Sequence, residues 1–195
     1  MKRNPWAIIF FTVLAIHLLS LAMNWQQVST ATKPLLVPVL AGFFLASVLL
    51  NSPLKLMVAA ALFFSWTGDV LLMFQQKNSL FFLLGLSAFL IAHLFYIFFF
   101  HRIRKAQNIK SRLWTLLLVA AYYSVLVAIL NPWLGDMRLP VRVYGLVISF
   151  MLLLALHMFY VNNKTAGRYM AAGAILFVIS DSVLAINKFL SLIHI

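Results

Sequence analysis

The sequence predicts an all-α protein, a polytopic bundle of transmembrane helices that forms a single domain over residues 1–195. Of the residues, 65% are hydrophobic and only 9% are charged, whereas soluble domains carry about 25% charged residues. The mean hydropathy is +1.03. Apolar runs of transmembrane length recur along the chain, and no linker-like or low-complexity stretch divides it. A soluble protein of this size could not cover such a surface, so the composition indicates an integral membrane protein.

Seven apolar runs approach the roughly 20 residues that a helix needs to cross a bilayer. Typical turn residues separate them, for example "KP" at 33–34 and "NNKTAGR" at 162–168. Backbone groups in lipid must be satisfied within the segment, and no alternating barrel pattern appears, so the runs are predicted to be helices. The first run lacks a small-residue cleavage site and is interpreted as a retained helix. The predicted spans are 6–23, 34–50, 56–74, 80–100, 113–130, 141–160 and 169–190.

The basic residues predict the orientation. Ten of the 15 Lys and Arg residues, including Lys2 and Arg3, fall on the side shared by the N-terminus and the even-numbered loops. This bias predicts a cytoplasmic N-terminus, in the plasma (inner) membrane if the source is bacterial. The bases lie in short loops between spans, chiefly "HRIRKAQNIKSR" at 101–112, so topology and contact with membrane lipids explain the net charge of +12 better than nucleic-acid binding.

The chain contains only three acidic residues, Asp69, Asp136 and Asp181, and two of them lie inside predicted spans. Asp69 lies 13 residues after the start of its predicted span and Asp181 lies 12 after the start of its own. Both spans run in the same direction, so both carboxyls are expected at about 18–20 Å from the cytoplasmic end. Ionisable residues within spans usually face the bundle interior or a water-filled cavity. We therefore predict that the two aspartates face one cavity; the alternative is a structural aspartate that hydrogen-bonds between helices.

Other polar residues within or beside the spans are candidate neighbours of this site. A metal site built from Asp69, His93, His157 and Asp181 is conceivable, but the histidines are expected at a different depth, so no metal or other cofactor is predicted. An interfacial position is the alternative for Tyr96, and extension of the side chain to the interface is the alternative for Lys188. The candidate substrate-binding residues are His93, Tyr96, Ser65, Ser180, Lys33, Lys188, Tyr123 and Asn187.

Three segments carry a family resemblance: "FSWTGDVLL" at 64–72, the spaced Gly85, Phe89, His93 and Tyr96, and "GAILFVISDSVLAINKF" at 173–189. With them, the chain resembles the YhhN-type lysoplasmalogenase family of integral membrane proteins from about residue 30 to 189. The resemblance implies a bundle of about eight spans that hydrolyses the vinyl-ether bond of lysoplasmalogen to a fatty aldehyde and glycerophosphoethanolamine or glycerophosphocholine. It implies Asp69 and Asp181 as the catalytic acid pair. Because this sequence stops at "FLSLIHI", the last span of the family is expected to be missing.

The expected mechanism is acid–base catalysis by the two aspartates on a lysophospholipid drawn from the bilayer. Three alternatives stay open. Buried Asp and His residues also form proton relays, which would suit a proton-coupled transporter, although the spans lack the Gly/Pro interruptions common there. A metal-dependent seven-span lipid hydrolase and a non-catalytic scaffold are the others.

Overall fold

The computed structural model describes residues 5–48 and 52–190, and within them it contains helices and no strand. Seven of these helices are long and apolar enough to cross a membrane, which confirms the predicted all-α class. Lys2 and Arg3, used to predict orientation, lie outside the described residues, as do residues 49–51 and 191–195. The helices are α1 (Pro5–Ala22), α2 (Gln26–Ser47), α3 (Pro53–Leu72), α4 (Ser79–Ala106), α5 (Leu113–Leu130), α6 (Arg138–Leu156) and α7 (Lys164–Leu190).

The predicted start of the second span is wrong. The span is predicted to begin at Pro34, with Lys33 in the preceding connector, but α2 begins at Gln26 and continues through both Pro34 and Pro38. Prolines are tolerated inside membrane helices where a neighbouring helix satisfies the backbone groups that they free. The ends of the other spans agree with the helices to within six residues. A 3-10 turn, His157–Tyr160, extends α6.

The chain divides into two compact units, residues 1–95 and 96–195, and each is described by itself. Single-domain organisation stays a prediction. In the first unit, α1 packs on α2 and α2 packs on α3. His17 Nδ1 and Thr32 Oγ1 form a hydrogen bond of 2.9 Å between α1 and α2. At the start of α3, the Ser52 hydroxyl accepts a hydrogen bond from the Lys55 amide, and Pro53 occupies the first helical position, so the local sequence defines this helix end.

In the second unit, α6 packs against both α5 and α7. Its buried side chains include Ile148 and Leu154, each 2% exposed. At the base of α7, Gly167 lies against the 3-10 turn so closely that a Cβ there would be 2.1 Å from the Met158 carbonyl oxygen. This approach requires glycine, and it fixes where α7 starts relative to the end of α6.

Candidate functional site

Asp69 lies on α3, where its side chain is half-buried. The exposed Lys33 on α2 is the basic residue that acts on it electrostatically. One residue before Asp69, the backbone of Gly68 contacts the ring of Phe89 from α4, because a Cβ at Gly68 would be 2.7 Å from that ring. The Asp69 backbone is therefore held where α3 and α4 approach each other closely.

An unusual contact joins α2 to α3 at the residue after Lys33. In a regular helix, the carbonyl of Pro34 would accept a hydrogen bond from the amide of residue 38, but residue 38 is proline and has no N–H. The indole Nε1 of Trp66 on α3 donates to this carbonyl instead, at 2.9 Å. The bond ties the residue next to Lys33 to the residue three before Asp69.

Two further predicted residues are buried in the first unit. Ser65 is 5% exposed, and its hydroxyl has no hydrogen-bond partner in the described part of the chain. His93 on α4 is completely buried. His93 and Phe89 are four residues apart, so His93 lies on the same face of α4, one turn from the contact with Gly68.

Asp181 lies on α7 in the second unit, and its carboxyl oxygen Oδ2 accepts a hydrogen bond from the hydroxyl of Tyr144 on α6. The Tyr144 side chain is only 8% exposed. The contact therefore joins two helices through polar atoms inside an apolar unit. Because the phenol donates its only proton to the carboxyl, it fixes the orientation of that carboxyl group.

A second tyrosine extends this cluster. The Tyr122 hydroxyl on α5 lies 2.8 Å from the Ser182 hydroxyl, which donates to the Val178 carbonyl at 2.7 Å. Since the single proton of Ser182 is used there, Tyr122 is the donor to Ser182. Tyr122 also interacts electrostatically with Asp181. We call Tyr122, Tyr144, Asp181 and Ser182 the carboxyl–phenol cluster.

The remaining predicted residues lie in various surroundings in the second unit. Tyr96 is half-buried and stacks on Phe100, with ring centroids 6.3 Å apart. The Tyr123 hydroxyl donates to the Arg142 carbonyl at 3.3 Å. Ser180 and Asn187 are exposed, and Lys188 is half-buried. Their roles in substrate binding stay predictions.

Sequence reasoning missed Tyr144 and Ser182. Tyr144 is 37 residues from Asp181, so no local motif joins them. A signal was nevertheless present in the helix lengths. Tyr144 precedes Tyr160, the end of the 3-10 turn, by 16 residues, and Asp181 follows the start of α7 by 17. Because α6 and α7 are antiparallel neighbours in one unit, nearly equal counts from the connecting turn place the two residues at about the same level.

The structure offers acid–base groups rather than a cluster of metal ligands. Within the ranges that it describes, no group of three or more His, Cys, Asp or Glu side chains could hold a metal ion. Asp181 with Tyr144 is an arrangement that can hold a carboxyl group in place for proton transfer or for stabilising a cation.

These features define the class of protein: an integral membrane protein made of apolar helices, two of which carry aspartates, one of them oriented by a tyrosine hydroxyl. The chain belongs to the YhhN family, whose sequence model matches residues 28–195. This match agrees with the resemblance found in the three sequence segments.

Several named relatives are similar to the chain. It is 32% identical over 166 residues to lysoplasmalogenase TMEM86B of Rattus norvegicus, and the aligned region covers 85% of this chain and 63% of the rat protein. It is 31% identical over 199 residues to lysoplasmalogenase TMEM86A of Homo sapiens, and the aligned region covers 96% of this chain and 79% of the human protein. Lysoplasmalogenase TMEM86B of Mus musculus is 31% identical over 166 residues, 65% of its own length. The chain thus spans less than two thirds of the two TMEM86B proteins. No solved structure matches it.

Proposed function

We propose that the protein is a membrane-embedded hydrolase that cleaves the vinyl-ether bond of lysoplasmalogen. Cleavage begins when a proton is added to the β-carbon of the R–CH=CH–O–R′ group, which leaves an oxocarbenium-like cation. Water then adds to the carbon bonded to oxygen, and the resulting hemiacetal collapses. The products are the fatty aldehyde R–CH₂–CHO and the glycerophospho-alcohol R′–OH, so one water molecule is consumed and no oxidant or metal is required.

This reaction needs a proton donor and a negative group that stabilises the cation, as in the carboxyl pairs of glycosidases. The chain has three acidic residues, and the exposed Asp136 lies in the connection between α5 and α6. We assign the two chemical roles to the remaining carboxyls, Asp69 and Asp181. Counted from the observed helix starts, Asp69 follows the beginning of α3 by 16 residues and Asp181 follows that of α7 by 17. The two aspartates therefore lie at nearly the same distance from the starts of their helices.

Tyr144 is the positioning residue in this proposal. Its hydroxyl donates to Oδ2 of Asp181 and thereby holds the carboxyl group in one orientation. Hydrogen bonds to charged groups contribute about 1.5–3 kcal/mol, so loss of the phenol should lower the rate of hydrolysis about tenfold or more. A loss of orientation should appear in kcat with little change in KM.

The observation that carries the proposal is the family match over residues 28–195, together with relatives that are named lysoplasmalogenases. The Tyr144–Asp181 hydrogen bond supports it from the structure, because it joins one of the two intramembrane aspartates to a fixed polar partner. We propose a lysophospholipid as the substrate and the bilayer as its source.

The test of the reaction is lipid mass spectrometry of purified protein in lipid nanodiscs. The substrates are three lysophospholipids that share one headgroup and carry an alkenyl, alkyl or acyl chain. We expect a fatty aldehyde from the alkenyl lipid and no cleavage of the alkyl lipid. Release of fatty acid from the acyl lipid, without aldehyde from the alkenyl lipid, would identify an esterase and overturn the proposal.

The test of the residues uses conservative variants. Asp69→Asn and Asp181→Asn should each lower the rate about a hundredfold or more, because each removes a group that acts in the transition state. Asp136→Asn is the matched control, since it removes the same charge at an exposed residue in the 3-10 turn before α6. Near wild-type turnover by either intramembrane variant would show that catalysis does not use an acid pair.

We also propose that the N-terminus faces the cytoplasm, from the distribution of basic residues. The chain contains no cysteine, so single introduced cysteines report on sidedness without background. The exposed Gln76 and Lys164 follow α3 and begin α7, on opposite predicted sides. In intact cells, a membrane-impermeant maleimide should label Gln76→Cys and leave Lys164→Cys unlabelled. The reverse pattern would invert the proposed topology.

A further inference from the structure

A small cavity in the second unit lies where three membrane spans end. Its volume is about 320 Å³, and it is lined by Gln107, Asn108, Ile109, Lys110, Arg112 and Tyr160. These residues follow α4, precede α5 and end the 3-10 turn after α6. The cavity therefore lies at the level where the apolar spans give way to the polar edge of the membrane, and we call it the basic pocket.

The basic pocket contains two cations and no acid. Lys110 and Arg112 both line it, and none of its six lining residues is acidic. Gln107 and Asn108 add amide groups that can donate hydrogen bonds. Arg and Lys in such an arrangement bind phosphate oxygens through charge-assisted hydrogen bonds.

The arginine is held in position before any ligand binds. The Arg112 guanidinium lies over the Tyr160 ring, 4.9 Å from its centroid. The Trp114 indole donates to the Tyr160 hydroxyl at 3.2 Å, which fixes the ring. The Arg112 amide donates to His157 Nε2 at 3.3 Å, while His157 Nδ1 donates to the Leu153 carbonyl at 2.6 Å.

The segment that carries Lys110 is also held in place. The Arg104 side chain donates from Nε to the Ile109 carbonyl at 3.1 Å and from Nη2 to the Ser111 hydroxyl. Asn108 adopts a left-handed backbone conformation with φ of 51°, which turns the chain here. The two pocket cations therefore lie on a fixed turn rather than on a free loop, so less conformational entropy is lost when an anion binds.

The adjacent surface indicates that the anion belongs to a lipid. Leu113 and Leu117 of α5 lie one helical turn apart on one face, beginning next to Arg112, and are 70% and 61% exposed. An acyl chain can lie along this face while its headgroup occupies the basic pocket. From these features we infer that the basic pocket binds the phosphate headgroup of an anionic glycerophospholipid.

This site is separate from Asp181, the proposed catalytic residue that lies in the same unit. Asp181 follows the start of α7 by 17 residues, about 25 Å along the helix. The basic pocket lies by the 3-10 turn that precedes this helix start. The inference therefore does not depend on the proposed hydrolase activity, and it predicts a lipid that binds the protein without being cleaved.

The test measures lipid binding by native mass spectrometry of delipidated protein. The probes are phosphatidylglycerol and phosphatidylcholine with identical acyl chains. Phosphatidylglycerol should bind more tightly, and Lys110→Gln and Arg112→Gln should each weaken its binding about fivefold, from roughly 1 kcal/mol per basic residue. Lys105→Gln is the matched control, because this exposed lysine lies in the same basic stretch but does not line the pocket.

Three results would overturn the inference. Equal weakening by Lys105→Gln and Lys110→Gln would indicate diffuse attraction to charge rather than a site. Equal binding of the two lipids would show that the pocket does not select a net negative headgroup. Complete competition by millimolar inorganic phosphate would indicate a site for a free anion rather than a lipid.

Discussion

The hydrogen bond from Trp66 to the Pro34 carbonyl predicts an energetic coupling that can be measured. The indole supplies the donor that Pro38 lacks, at 2.9 Å. Trp66→Phe keeps an aromatic ring and removes this donor. Pro38→Ala supplies the missing amide, so that the Pro34 carbonyl can accept an ordinary helical hydrogen bond.

The size of the expected coupling energy depends on whether the Pro34 carbonyl has a hydrogen-bond partner. A buried acceptor left without a partner costs about 1–3 kcal/mol, and because Pro34 and Trp66 are half-buried we expect about 1–2 kcal/mol. In the wild-type background, Trp66→Phe loses this amount together with some packing. In the Pro38→Ala background it loses only the packing, because the amide that this substitution introduces already satisfies the carbonyl. The coupling energy between the two sites should therefore be about 1 kcal/mol or more.

The assay is a double-mutant cycle on the free energy of unfolding in detergent micelles. Trp114→Phe provides the control, since this indole donates to the Tyr160 hydroxyl and not to a carbonyl freed by proline. Its effect should add to that of Pro38→Ala. If Trp66→Phe and Pro38→Ala were also additive within about 0.5 kcal/mol, the indole would not be replacing the missing amide and the reasoning would be wrong.

Two further matched pairs test other features. Gly167→Ala should destabilise the protein by several kcal/mol, because its Cβ would be 2.1 Å from the Met158 carbonyl oxygen. Gly173→Ala should be neutral or stabilising, because nothing lies within 4 Å of the Cβ position there. Equal thermal midpoints for the two variants would contradict this packing. Ser65→Ala and Ser149→Ala should both preserve thermal stability, since neither buried hydroxyl has a hydrogen-bond partner in the part of the chain that the structure describes. If Ser65 binds substrate as predicted, only Ser65→Ala should raise KM, and identical kinetics of the two variants would remove Ser65 from the site.

The helices could be predicted because hydropathy depends only on composition along the chain. The α5 bounds agree with the prediction to the residue, and the other helices differ at their ends. The start of α2 could not be predicted from Lys33 and Pro34, because membrane helices tolerate prolines where other groups satisfy the carbonyls that they free. Pro38 frees the carbonyl of Pro34, and its partner lies on another helix. That partner, Trp66, is 32 residues away, and nothing near Pro34 indicates it.

The candidate site shows the same limit. Asp69 and Asp181 could be found because a carboxylate is conspicuous in an apolar run. Tyr144 could not be found in this way, since tyrosine is common in membrane helices and often lies at interfaces. Its importance depends on a contact between α6 and α7, and only helix lengths counted from the connecting turn give a hint of it.

The turn that carries the basic pocket has a consequence for protease mapping of the membrane topology. Residues 101–112 contain five trypsin sites, Arg102, Arg104, Lys105, Lys110 and Arg112. Three hydrogen bonds join this region to the segment after α6: Gln107 to the Asn162 amide, Arg112 to His157, and Trp114 to Tyr160. Trypsin requires an extended, detached segment, so cleavage after Lys110 or Arg112 must wait for local opening. Resistance of this stretch to trypsin therefore gives no information about which side of the membrane it faces.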